Sequence, residues 1–234
     1  MPETGAVVVV GGTRAIGLEI VKHFAARGDE VVLSGQRAES VQAAVEQLAD
    51  ERVRGVTFDL ADPHSIAPAL RDVGPVRHIV LAAIDRDANS VRDYDIDRAI
   101  RLATLKLVGY TEVIHALVDR LSESSSLVLF GGMAKERPYP GSTTVSTVNG
   151  GVVGLTRSLL EELKPIRVNS IHPGIVGDSP FWAEKPAAIE NYTSQTPTGR
   201  LAHMADIVDA TVFLLENRAV NGVELIVDGG WHCR

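Results

Sequence analysis

The chain predicts an α/β fold, a doubly wound parallel sheet of about seven strands with helices on both faces. Three observations carry this. Short continuous apolar runs, such as Ala-Val-Val-Val-Val-Gly-Gly from Ala6 to Gly12, suit strands buried on both faces. Between them lie stretches with apolar residues at helical spacing, as in Ile16, Ile20, Val21 and Phe24. No linker rich in Pro, Gly and Ser interrupts the alternation, so residues 1–234 read as a single domain.

The elements follow in order. The first helix ends at Gly28, because glycine readily takes the left-handed conformation at a helix end. Glu30 to Gly35 is a second strand and Val41 to Leu48 a second helix. Val53 to Leu60 is a third strand and His78 to Ile84 a fourth. A long helix is expected from Asp97 to Leu121. Ser126 to Gly132 is a fifth strand, Val145 to Leu163 a helix, and Ile166 to His172 a sixth strand. A helix from Asp206 to Leu215 precedes a last strand from Val223 to Gly230. Residues 174–199 show no clear periodicity and read as a long functional or mobile segment. Ser122 to Ser126 is the one low-complexity tract, and there is no internal repeat.

Composition narrows the function. With 45% apolar and 23% charged residues the chain is globular. A net charge of -7, with scattered basic residues, argues against a nucleic-acid partner. The single cysteine, Cys233, excludes an intrachain disulfide and fits a reducing compartment. The opening Met-Pro-Glu-Thr-Gly-Ala-Val-Val-Val-Val-Gly-Gly is too short for a membrane span and lacks a signal peptide's basic start. A cytoplasmic protein with no membrane partner is expected. No metal-ligand spacing and no Ser/His/Asp order stands out; His23, His64, His78, His115 and His203 read as structural or solvated.

Gly11 to Gly17, Gly-Gly-Thr-Arg-Ala-Ile-Gly, lies between the first strand and first helix. There a doubly wound, Rossmann-type sheet binds a dinucleotide. Gly12 is expected to make the tight turn. Ala15 and Gly17 let backbone approach a pyrophosphate, and the helix start near Ile16 offers unpaired N–H groups. An NAD-binding sheet carries an acid at the end of its second strand. Here that strand ends Ser34-Gly35-Gln36-Arg37, without one. Arg14 and Arg37 suit a 2′-phosphate, which points to NADP(H).

The chain resembles the short-chain dehydrogenase/reductase family over nearly all its length. The resemblance rests on the glycine motif with Thr13, on Phe58-Asp59-Leu60, and on Gly154-Leu-Thr-Arg-Ser-Leu-Leu-Glu-Glu-Leu163. It also rests on Ile166 to Val176, which contains Pro173-Gly174, and on Asn221 to Trp231. It implies cofactor contacts from Asp59, Leu60, Ala82, Ala83, Asn149, Pro173, Gly174 and Val176, and from Gln36 beside Arg37. It also implies a small-molecule substrate, a lid over residues 174–199, and a homodimer or homotetramer. Gly150, Gly151 and Gly154 would allow close helix approach in such an assembly.

The same resemblance places the family's Tyr-x-x-x-Lys pair on Val145 and Asn149. Its serine falls on Gly132 and its asparagine near Thr104 or Ala103. The usual asparagine-rich end of the fourth strand reads Leu81-Ala82-Ala83-Ile84. Every customary catalytic side chain is then absent. The family's tyrosine moves the proton that accompanies hydride transfer, and the lysine one turn away lowers its pKa. Val145 cannot donate a proton, and Asn149 carries no charge.

Candidate substitutes are Tyr139, on the loop after the fifth strand; His172, before Pro173; and Asp178, a base or a helix start. Lys135, Glu136, Asp85 and Asp87 read as solvated. Phe181 and Trp182 form an apolar lid or pack on the core. The readings left open are an atypical NADP(H)-binding enzyme, redox or non-redox, acting on an apolar or carbonyl-containing substrate; a catalytically silent sensor or partner subunit; and an ordinary reductase.

Overall fold

The computed structural model describes residues 5–233; residues 1–4 of the opening stretch and Arg234 lie outside the described residues. Seven strands form one parallel sheet: β1 (Ala6–Val10), β2 (Val31–Gly35), β3 (Val53–Thr57), β4 (Val76–Leu81), β5 (Leu121–Phe130), β6 (Arg167–Pro173) and β7 (Glu224–Val227). Their order is β3-β2-β1-β4-β5-β6-β7. The chain reverses direction across the sheet between β1 and β4, where Val10 pairs with both Ser34 and Leu81. A crevice opens at such a switch point beyond the strands' carboxyl ends.

The alternation along each strand divides the core. Val8, Val10, Ile79, Leu81, Leu127 and Leu129 face one layer, against α3 (Ile66–Leu70), α5 (Tyr110–Leu117) and α6 (Thr143–Glu162). Val7, Val9, Leu33, Val80, Val128 and Ile171 face the other, against α1 (Ala15–Ala26), α2 (Ala38–Leu48) and α9 (Met204–Glu216). Burying each such side chain stabilises the fold by about 1.5–3 kcal/mol relative to leaving it exposed.

Four features depart from the sequence reading. The short α3 had no legible stripe. The serine tract lies inside β5, where the Ser125 hydroxyl donates to the Val76 carbonyl at 2.8 Å. Residues 174–199 carry two helices, α7 (Pro180–Ala183) and α8 (Pro186–Gln195), each with proline in its first turn. Neither buries a residue fully, so no apolar stripe marks them. Finally, the long helix is α4 (Ile96–Ala103) and α5 joined by a π-helical stretch, Thr104–Gly109. A π-helical turn holds one residue more than an α-helical one, and Ala103 and Thr104 stand at its start.

Candidate active site

The glycine loop lies on the floor of the crevice. Its turn is made by Gly11, at φ +83°, and Ala15, at φ +47°, rather than by Gly12. Gly12 is instead small because a Cβ there would meet Leu33 Cβ at 2.9 Å. A Cβ on Gly11 would stand 2.7 Å from Ala83 Cα, so this loop packs directly on the segment after β4. A Cβ on Gly17 would come within 2.0 Å of the Gly11 carbonyl oxygen, which no side chain tolerates. Arg14 caps α1 with extended backbone and no side-chain bond to the helix, which leaves the first-turn N–H groups for an anion. Ile16 packs on the core, and the Thr13 methyl is pressed on Gly35.

At the far end of the crevice, Asp59 is held by three groups. Gln36 Nε2 donates to it at 2.9 Å, the Ala61 N–H at 2.9 Å, and the Arg101 guanidinium at 3.1 and 3.2 Å. Burial opposes its charge, but these donors hold the carboxyl below its usual range. Arg101 also reaches Asp85 at 2.9 Å. A cavity of about 220 Å³ lies beside this cluster, lined by Asp85, Arg86, Asp87, Arg98, Arg101 and Leu102. Arg37 and Arg14 are exposed at the rim. The Leu60 side chain turns into the core, so only its backbone is left to meet a ligand.

On the catalytic side, Val145 is 9% exposed and packs with Leu102, Ala134 and Val148. Asn149 is buried, its amide nitrogen 2.8 Å from where a Cβ on Gly132 would be. The Asn149 Oδ1 is buried on this wall with no hydrogen-bond partner among the described residues. Ala82 N–H donates to Val10 O at 2.9 Å, joining the β4 end to β1.

The candidates behave differently from one another. Tyr139 is 54% exposed; burial raises its phenol above the ordinary value and Arg86 opposes the rise. The Asp178 carboxylate accepts from the Met204 N–H at 2.8 Å, so it ties down the start of α9 rather than that of α7. His172 is fully buried. Its Nδ1 accepts from the Gly132 N–H at 3.2 Å and its Nε2 meets Ser170 Oγ at 3.1 Å. Burial lowers its pKa to about 4, with Lys135 and Lys106 adding to the effect and Glu224 and Glu136 opposing it. His172, a candidate proton donor on sequence, is thereby corrected: so low a pKa leaves the ring neutral at pH 7. The ring is a packing block beneath Gly131, whose Cβ would lie 2.4 Å from it. Pro173 ends β6, and Gly174 must be glycine because Asp228 Cβ lies 2.5 Å from its missing Cβ. Val176 is buried in the core.

Residues 10–232 match the family model described as Enoyl-(Acyl carrier protein) reductase. The chain is 31% identical over 231 residues to carbonyl reductase family member 4 of Danio rerio, covering 95% of this chain and 96% of that one. It is 30% identical to the 3-oxoacyl-[acyl-carrier-protein] reductase of Bos taurus, with 95% of each covered. A short-chain dehydrogenase/reductase structure from Brucella melitensis superposes with a TM-score of 0.89 at 26% identity, covering 97% of this chain and 96% of that one. The chain belongs to the short-chain dehydrogenase/reductase family.

This short-chain dehydrogenase/reductase holds a lysine and a tyrosine that the sequence reading missed. Lys106 and Tyr110, both buried, lie one turn apart. Lys106 Nζ donates to Tyr110 Oη at 2.9 Å and to the Phe130 carbonyl, and Tyr110 Oη donates to the Ala83 carbonyl at 2.7 Å. Burial lowers the Lys106 pKa to about 7 and raises that of Tyr110 well above the ordinary phenol value. The pair grips the ends of β4 and β5 from beneath, with no solvent contact. A lysine followed four residues later by tyrosine on the apolar face of a helix was the available signal.

The segment after β6 carries an aromatic series that reaches the end of the chain. Phe181, Trp182, Tyr192 and Trp231 make successive edge-to-face contacts with centroids 5.2, 5.8 and 5.7 Å apart. The Arg86 guanidinium lies 3.2 Å and Lys185 Nζ 3.4 Å from the Phe181 ring centre. Phe181 and Trp182 are half-buried and stand outside the described clusters of buried apolar residues.

Proposed function

We propose that this short-chain dehydrogenase/reductase binds NADP(H) and acts on small apolar, carbonyl-containing molecules without a proton donor from α6. The carrying observation is the pair of α6 positions: Val145 closed into an apolar cluster and Asn149 uncharged. The names of the relatives, a carbonyl reductase and a 3-oxoacyl reductase, support the substrate class. When bound, the nicotinamide would supply a hydride. Gly11 to Gly17 would cradle the pyrophosphate, Arg14 and Arg37 the 2′-phosphate, Asp59 and the Leu60 backbone the adenine end. Ala82, Ala83, Asn149 and the Pro173-Gly174 turn would flank the nicotinamide half, with residues 174–199 as lid.

Without general acid assistance, worth about 10²–10⁴-fold, simple ketones are poor substrates. Acceptors whose reduced anion is already stable, such as quinones and enones, suit a site that takes its proton from water or from the substrate. The cofactor test is a titration with NADPH and NADH. NADPH should bind more tightly, and Arg37→Ala should weaken it by about tenfold, the scale of a hydrogen bond to a charged group; preference for NADH would overturn the assignment. The substrate test mixes protein, NADPH and a panel of ketones, quinones and enones. Consumption of NADPH with quinones or enones supports the reading. Conversion over many turnovers without NADPH change would replace it with a non-redox step, and binding without turnover with a sensor or partner subunit.

Among the described residues no helix is long and apolar enough to cross a membrane, and we place the protein in the cytoplasm. A homodimer or homotetramer is proposed through α4, α5 and α6. Ile96, Ile100 and Val108 are more than half exposed there, and a Cβ on Gly150 or Gly154 would meet open space. Gly151, contrary to expectation, faces Leu107 at 2.8 Å. Sedimentation should give at least twice the 25.1 kDa chain mass; a monomer refutes it.

A further inference from the structure

Beyond β7 the chain folds back through Gly229 and Gly230, at φ +67° and +83°, into a short 3-10 turn, Trp231–Cys233. The reversal sets His232 against Asp228. Asp228 is buried and accepts from the Gly230 N–H at 2.9 Å, the His232 N–H at 2.8 Å and His232 Nδ1 at 2.8 Å. A proton on Nδ1 facing the carboxylate leaves Nε2 as an acceptor. Cys233 Sγ lies 3.2 Å from that Nε2. A thiol, a base and a carboxylate that orients the base thus stand in series, the arrangement that activates a nucleophile.

Its place in the fold matters as much. Asp228 packs against Gly174, at the turn that ends β6. Arg137, from the loop before α6, donates to the Trp231 carbonyl at 2.7 Å and lies 3.8 Å over its ring. Trp231 also closes the aromatic series of the lid. Its indole Nε1 is buried with no acceptor among the described residues, a donor that a carbonyl oxygen would satisfy. The thiol is exposed.

We propose that Cys233, with His232 as its base and Asp228 as the orienting residue, is a nucleophilic site for α,β-unsaturated carbonyl compounds beside the substrate end of the crevice. Sγ bonds to the β-carbon as the carbon–carbon π bond breaks. The thiol proton passes to His232 Nε2 and is returned to the α-carbon, so the product is a thioether with no oxidant or reductant consumed. The adduct forms without cofactor, so this site and the NADP(H) reading succeed or fail separately.

The test uses the full chain, without cofactor, mixed with cyclohex-2-enone and followed by intact-mass spectrometry. The chain has one cysteine, so one adduct per chain is expected, and none on Cys233→Ser. His232→Gln should slow the reaction by at least about tenfold, the lower side of what a positioned base contributes. Asp228→Asn should slow it in the same direction. Because Asp228 also holds the turn through the Gly230 and His232 N–H groups, the second comparison is the wild-type chain unfolded in denaturant, which should react at the slow rate. A folded wild type no faster than the unfolded chain, a His232→Gln variant as fast as wild type, or an equal adduct on Cys233→Ser would overturn the proposal.

Discussion

Replacing Gly132→Ser, Val145→Tyr and Asn149→Lys together should raise kcat/KM for simple ketones with NADPH by about 10²–10⁴-fold, the worth of a positioned general acid. The three changes have to be made as a set. A Cβ on Gly132 would stand 2.8 Å from the Asn149 amide nitrogen, so the serine alone strains against a buried neighbour. Overpacking of that kind costs about 1–3 kcal/mol. Exchanging Asn149 for lysine removes the amide and supplies the charge that lowers a phenol's pKa. Val145 borders Leu102, Ala134 and Val148, so the new phenol must emerge from an apolar pocket towards the crevice. The readout is NADPH consumption by the triple variant beside the Gly132→Ser single. A triple variant that folds and binds NADPH yet gains nothing would show that the pocket lost more than three side chains.

The second large effect is on stability in acid. His172 titrates at about 4 in the folded chain against 6.5 as an ordinary imidazole, and His78 at about 3. Burial is the chief cause in both, and for His78 the charges of Arg77, Arg167 and Arg27 add to it. A lowered folded value means the unfolded chain takes up the proton first. The stabilisation is therefore complete above pH 6.5 and is lost as pH falls through 4. For His172 the 2.5-unit interval corresponds to roughly 3 kcal/mol. The geometry supplies the reason, since a proton on Nδ1 would displace the Gly132 N–H that it accepts. Urea unfolding at pH 7 and pH 4.5 should show wild type losing much more stability than His172→Gln. Equal losses in the two proteins would sink the assignment.

The sheet was legible because parallel strands buried on both faces must be continuously apolar, and Val7 to Val10 could be little else. The glycine loop was legible because strand, glycines and helix occur in the order a dinucleotide site needs. Which glycine bends was not, since φ at Gly11 and Gly12 depends on how the loop meets Ala83. α7 and α8 escaped because they sit on the surface, bury no residue and carry no apolar stripe. Lys106 escaped because a charged residue on a helix is ordinarily solvated. In the structure it lies in the π-helical stretch and donates to the Phe130 carbonyl. The Asp228, His232 and Cys233 series depends on two successive positive-φ glycines, which bring a carboxylate back over its own downstream neighbours.

The wide turn between α4 and α5 has a further consequence. One inserted residue offsets the two halves by about 100° relative to an unbroken helix, the rotation of a single α-helical residue. Leu102, before the wide turn, addresses the wall beside Val145, while Lys106, within it, and Tyr110, after it, address the sheet. One rod thus presents two independently aimed faces. Substitutions on the pocket side should therefore leave the grip of Lys106 and Tyr110 on the strand ends intact.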